Sequence, residues 1–269
     1  MELHSKSLFM PSIDKANGSK SEEAEQEEEK KTPVIADTAT ALDTNDEIPK
    51  PSFLNFSFFR IDPTWRWLKE IGREESAKEF SSLIEVANTK MKVRTYSTLG
   101  LRDDSDFLLW MIADSVEKMQ ILTTKIYSTI LGKYIEPSHL YLSATRQSNY
   151  SNNKLKLGFK NEEPLKYVIV YPFIKTREWY LLPFKERKKM MDEHICVGKK
   201  FSQIRINTSY SFGIGDQDFM LAFETDSLTD FQELIMQLRE TQVSKHIVRD
   251  TPMMVGIHKP IEDIIKSFG

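Results

Sequence analysis

The feature that most constrains this chain is a repeat of its own pattern. Asp106 and Asp218, Asp114 and Asp226, Met119 and Phe231, and Trp67 and Trp179 each stand 112 positions apart. One offset held across four segments marks a tandem duplication. In the first copy Phe53 to Phe59 reads as a strand. A helix-like run after Trp65 carries Phe80, Leu83, Ile84 and Ala87 at helical spacing. Val93 to Leu99 and Ser105 to Ile112 read as strands, and Asp114-Ser115 opens a second helix with Val116, Met119, Leu122 and Ile126. The order returns in the second copy. Lys166 to Phe173 is a strand, Pro183 opens a helix, Ile204 to Ser211 and Asp218 to Glu224 are strands, and Asp226-Ser227 opens a helix with Leu228, Phe231, Leu234 and Leu238.

Each copy is thus strand–helix–strand–strand–helix plus a closing strand, an α+β ferredoxin-like unit. Two such units face to face make a barrel of antiparallel strands with helices outside. The expected divisions are an acidic, disordered tail over 1–50, a first repeat over 53–131, a connector over 132–165 and a second repeat over 166–262. The tail is expected to lack order because Ser21 to Lys31 is dominated by charge and has no apolar periodicity.

Composition excludes several classes of function. The 269 residues are 40% hydrophobic, with a net charge of −3, which argues against a nucleic-acid partner. A single cysteine, Cys196, rules out an internal disulfide and a cysteine-based zinc cluster. No apolar run approaches the roughly 20 residues that span a bilayer, and residues 1–30 show no signal-peptide pattern. The expected setting is soluble and cytoplasmic. No Gly-rich phosphate loop, nucleophile elbow or metal-spaced pair of histidines is present.

The duplication offers an internal control for a site. With the 112 offset, Tyr171 falls opposite Phe59, Lys175 opposite Pro63, His194 opposite Ser82 and Asn207 opposite Thr95. Polar or redox-capable groups in the second copy face residues unable to do the same chemistry in the first. This asymmetry suggests one copy with a site and one that is scaffold. His194 shares a helical stripe with Met190, Met191, Ile195 and Gly198. Spacing alone leaves two readings of it, a hydrogen-bonded core histidine or a neutral imidazole offered to an iron. Tyr171 likewise reads as a core aromatic or a redox group, and Lys175 as a solvated lysine or a functional one.

Several segments in order resemble one family. They are Tyr171-Pro172-Phe173-Ile174-Lys175, Glu178 to Pro183, Glu193-His194, Asn207-Thr208, Phe212 to Asp216 and Ala222-Phe223-Glu224. Together they resemble the chlorite dismutase-like family, and most of all its coproheme decarboxylase branch. The resemblance spans roughly 53–258 and is strongest over 166–257.

It implies a dimeric α+β barrel in each chain, a homopentamer, and an iron porphyrin, haem b or coproheme, in the second copy. By resemblance His194 is the proximal iron ligand, Tyr171 the tyrosine that carries a radical, and Lys175 a propionate partner or proton donor. Trp179 and Asn207 line the cofactor, and Lys154 falls near a distal position. Chlorite-splitting members carry an arginine where this chain has Asn207. The implied function is peroxide-dependent oxidative decarboxylation of coproheme propionates to give haem b. Two alternatives stay open: a haem protein with peroxidase or weak chlorite activity, and a non-catalytic haem-binding barrel.

Overall fold

A computed structural model describes residues 51–150 and 162–269. The tail over 1–50 and Lys154 lie outside the described residues. The first copy contains β1 (Phe53–Ile61), α1 (Glu70–Asn88), β2 (Lys92–Ser97), β3 (Phe107–Ala113), α2 (Val116–Ser128) and β4 (Ile135–Ala144). The second contains β5 (Tyr167–Lys175), the short α3 (Arg177–Leu181), α4 (Phe184–Lys199), β6 (Arg205–Tyr210), β7 (Phe219–Thr225), α5 (Leu228–Arg239), β8 (Ile247–Arg249) and β9 (Met254–His258). A last helix, α6 (Ile261–Lys266), follows.

The span 132–165, read as a connector, holds the ten-residue strand β4. β4 lies between β1 of its own copy and β6 of the other, and β9 lies between β5 and β2. The antiparallel order β7-β6-β4-β1-β3-β2-β9-β5 returns to β7 through a β5–β7 pairing. Eight strands therefore close into a ring, with β8 attached to the end of β5. Closure leaves β3 covered on both faces, and all seven of its residues are buried.

The inner face is packed by Leu54, Phe56, Phe58, Trp110, Val168, Val170 and their neighbours. Phe56 stacks on Trp110 at 5.2 Å between ring centres. Gly256 lets β9 approach closely, since a Cβ there would lie 2.9 Å from the Cβ of Tyr96. An ion pair crosses the interior. Arg94 on β2 donates to Glu224 on β7 at 2.8 Å, with both side chains almost wholly shielded.

Strand pairing corrects the repeat offset. β1 and β3 pair Phe59 with Phe107, and β5 and β7 pair Phe173 with Phe219. β3 and β7 are 112 apart, so β1 and β5 are 114 apart. The same reasoning from β2–β3 and β6–β7 gives 113 for β2 and β6. The first helices begin 114 apart, at Glu70 and Phe184. Trp179 therefore matches Trp65, and both are buried, whereas Trp67 is 89% exposed. The turns that carry the two tryptophans begin alike. Asp62 and Thr176, again 114 apart, each accept a backbone N–H from the turn that follows. Ser227 caps α5 as its type suggests, whereas Asp114 pairs instead with Lys118.

The outer faces of the copies differ. In the first, α1 buries Ser76, Ala77, Phe80, Ile84 and Ala87. α6 completes that layer, with Ile261, Ile264 and Ile265 in the core that holds Phe80 and Phe107. In the second copy α4 buries no residue.

Candidate functional site

The true register changes the internal control. Tyr171 matches Ser57, Lys175 matches Ile61, His194 matches Phe80 and Asn207 matches Arg94. Along the helices, Met191, His194, Gly198 and Phe201 match Ala77, Phe80, Ile84 and Ala87. His194 and Lys175 thus stand where the first copy has the buried hydrophobics Phe80 and Ile61. Gly198 removes the side chain that Ile84 supplies. A Cβ at Gly198 would find its nearest neighbour, Cδ1 of Ile206, at 4.0 Å. The layer between α4 and the sheet therefore lacks the apolar filling of its counterpart.

His194 is half-buried on α4. Its Nδ1 lies 3.5 Å from Oγ1 of Thr241. That hydroxyl donates its own hydrogen to the carbonyl of Leu238 at 2.7 Å, so it is an acceptor toward the imidazole. The arrangement places hydrogen on Nδ1 and leaves the Nε2 lone pair free to bind a metal. Burial, followed by repulsion from Lys175, pushes the imidazole down to about 4. It is neutral at pH 7, as a ligand must be. The neighbouring Glu193 accepts from the backbone of Gln242 and so ties α4 to the segment carrying Thr241.

Lys175 ends β5 on the outer face, 8% exposed. Its ammonium sits 3.8 Å above the Trp179 ring and 5.6 Å from that of Phe173. Nζ has no hydrogen-bond partner among the described residues. Burial lowers it to about 8, opposed by the charge of Asp218. Asp218 itself accepts from the Lys175 backbone and from the Tyr180 hydroxyl.

Tyr171 is buried on the same face, its ring stacked on Phe223 at 5.8 Å. Burial, with the nearby charge of Asp250, pushes the phenol up, so it stays protonated. Four strand residues separate the Cα atoms of Tyr171 and Lys175 by about 13 Å.

Asn207 is not brought together with them. It pairs with Ala222 on the inward face of β6 and donates to Glu224 at 3.2 Å. Its counterpart Arg94 binds the same carboxylate. β6 turns Ile206, Thr208 and Tyr210 outward, and the first two are exposed. The strand alternation names them once the register is known, but the uniform offset concealed it. Among the described residues no group of three or more His, Cys, Asp or Glu is arranged to hold a metal ion. A site here would rest on the single protein ligand His194.

The family model described as chlorite dismutase matches residues 73–259. The chain belongs to the chlorite dismutase family. A coproheme decarboxylase from Mycolicibacterium smegmatis is 31% identical over 223 residues, 79% of this chain and 92% of that protein. Among solved structures, a mutant chlorite dismutase from Candidatus Nitrospira defluvii matches with a TM-score of 0.74 at 27% identity, covering 81% of this chain and 95% of that one. Chlorite dismutase from the same organism in complex with imidazole gives a TM-score of 0.74 at 25% identity, with 81% and 94% covered. Haem-dependent activity is the common property of this family. Among the described residues no helix is long and apolar enough to cross a membrane.

Proposed function

We propose that this chain binds an iron porphyrin against His194 and oxidatively decarboxylates coproheme propionates. The observation that carries the reading is Lys175: a buried ammonium with no acceptor among the described residues, in the layer that also holds His194. An unpaired buried charge costs several kcal/mol unless a partner arrives. A ligand bearing both a metal and carboxylates satisfies both groups at once. The deletion of Ile84-type bulk at Gly198 leaves room for something flat. The likeness to a coproheme decarboxylase points the same way.

Bound here, the iron porphyrin supplies the oxidising chemistry, with peroxide as the oxidant. Each propionate converted gives a vinyl group, carbon dioxide, one proton and two electrons. Peroxide takes up two electrons and two protons to become water. The protein's part is placement. His194 presents Nε2 while Thr241 fixes its ring. Lys175 holds a propionate carboxylate and can release a proton from Nζ near pH 8. Tyr171, kept from water and stacked on Phe223, gives up its phenolic hydrogen and takes one from the propionate side chain. Ile206 and Thr208 offer no cation on the outward face of β6, which favours porphyrin chemistry over chlorite.

The test is an anaerobic titration with coproheme, then peroxide, then mass analysis of the porphyrin. Loss of two carboxyl groups is expected. Binding without decarboxylation would leave a haem protein of another activity. Tyr171→Phe should bind coproheme and stall; normal turnover by that variant rules out the radical role.

A further inference from the structure

The duplication also isolates an arginine outside the set His194, Lys175 and Tyr171. Arg187 is the fourth residue of α4, and Arg73, 114 positions earlier, is the fourth residue of α1. Both are half-buried. Arg73 donates through Nη1 to the carbonyls of Leu68 at 2.7 Å and Arg66 at 3.3 Å, so the turn before its own helix satisfies it. The matching carbonyls for Arg187 belong to Leu182 and Tyr180, and it bonds neither. Among the described residues its Nη1 reaches only the hydroxyl of Tyr150, at 3.4 Å. Among the described residues its buried Nε has no acceptor and no carboxylate forms an ion pair with it.

The position of Arg187 gives this a direction. Seven residues before His194, it lies on the same helix face, about 10 Å along the axis. Its guanidinium lies 5.8 Å from the Phe184 ring. Tyr150 stacks flat on Phe184 at 5.7 Å and lies 6.4 Å from Trp179, the ring beneath the Lys175 ammonium. A planar fork of donors, braced by aromatic rings and lacking an anion, suits a carboxylate better than a point charge does.

We infer that Arg187, with the Tyr150 hydroxyl beside it, is a second carboxylate-binding residue of this layer and holds a propionate of the tetrapyrrole bound to the His194 face. The inference rests on the proposed porphyrin site and adds to it the residue that reads a side chain of the ligand.

The test measures binding, not turnover. Quenching of tryptophan fluorescence is titrated with iron-free coproporphyrin and with its tetramethyl ester, in which every carboxylate is capped. Wild type, Arg187→Met, Arg187→Lys and, as a folding control, Arg73→Met are compared. Arg187→Met should weaken coproporphyrin binding by about tenfold to a hundredfold and leave the ester within about twofold, the expectation for one lost charge-assisted contact. Arg187→Lys should fall between, having charge without the fork. Unchanged affinity in Arg187→Met, or equal weakening for acid and ester, overturns the inference while leaving the porphyrin site standing. Failure of wild type to bind either compound overturns the porphyrin site itself.

Discussion

His194 and Lys175 occupy positions that a stable apo-protein would give to hydrophobic side chains, as Phe80 and Ile61 demonstrate. Their burial therefore costs stability that a ligand can return. For Lys175 the folded value near 8 lies below the ordinary lysine value of 10.5. Stability linked to it is full above pH 10.5, falls as pH drops toward 8, and is level below. Lys175→Met should raise apo stability at pH 7 by at most about 3 kcal/mol, a gain that vanishes above pH 10.5 in denaturant melts. For His194 the folded value near 4 lies below 6.5. Its contribution is intact above pH 6.5 and lost as pH falls to 4. His194→Phe should remove that acid sensitivity and stabilise the apo-protein, yet abolish the Soret shift on haem addition. A destabilised His194→Phe variant would mean the layer under α4 is not short of apolar filling.

At the scale of elements, α1 is seated on its sheet by five buried residues and α4 by none. Native-state amide exchange should be faster in α4 than in α1 without ligand, and should slow selectively in α4 when a porphyrin is added. Equal exchange in both helices would contradict this. The same contrast explains what was legible in sequence. Periodicity and caps revealed the strands, the helices and the duplication. The offset of 112 holds for β3, α2 and their counterparts; the Trp67–Trp179 pair that shares it is a coincidence, because loop lengths shift β1, β2 and α1 by one or two residues. A slip of two residues keeps a strand's facing, so Tyr171 stayed on the correct side of β5 whichever partner it was given. A slip of one flips it, so Asn207 was matched to outward Thr95 instead of inward Arg94. On a helix a slip of two swings the side chain to the far side, so His194 was set against Ser82 and not Phe80. The closing strand of the first copy is expected, but its place inside 132–165 is not legible, because Glu136, Pro137, His139 and Leu140 lack a clean apolar alternation in a seam strand between two copies.

Across the whole molecule the copies are joined by crossed strands and by the Arg94–Glu224 pair within the ring. Glu224 also serves Asn207, so its carboxylate gathers β2 and β6 from opposite copies. Glu224→Ala removes the carboxylate paired with a buried guanidinium and should cost about 3–5 kcal/mol, whereas Arg94→Met with Glu224→Leu together should cost much less. Additive losses in that double-mutant cycle would show that the pair does not act as a unit. The crossing of β4 and β9 also has a consequence during synthesis. When the first copy leaves the ribosome, both β2 and β4 present unpaired edges, because their partners β9 and β6 do not yet exist. The layer around Phe80 is open as well, since Ile264 and Phe268 have still to be made. The amino-terminal half must wait, sticky and unfinished, for the half that carries the site, and this interval is when the nascent chain is most exposed to aggregation and most in need of a chaperone.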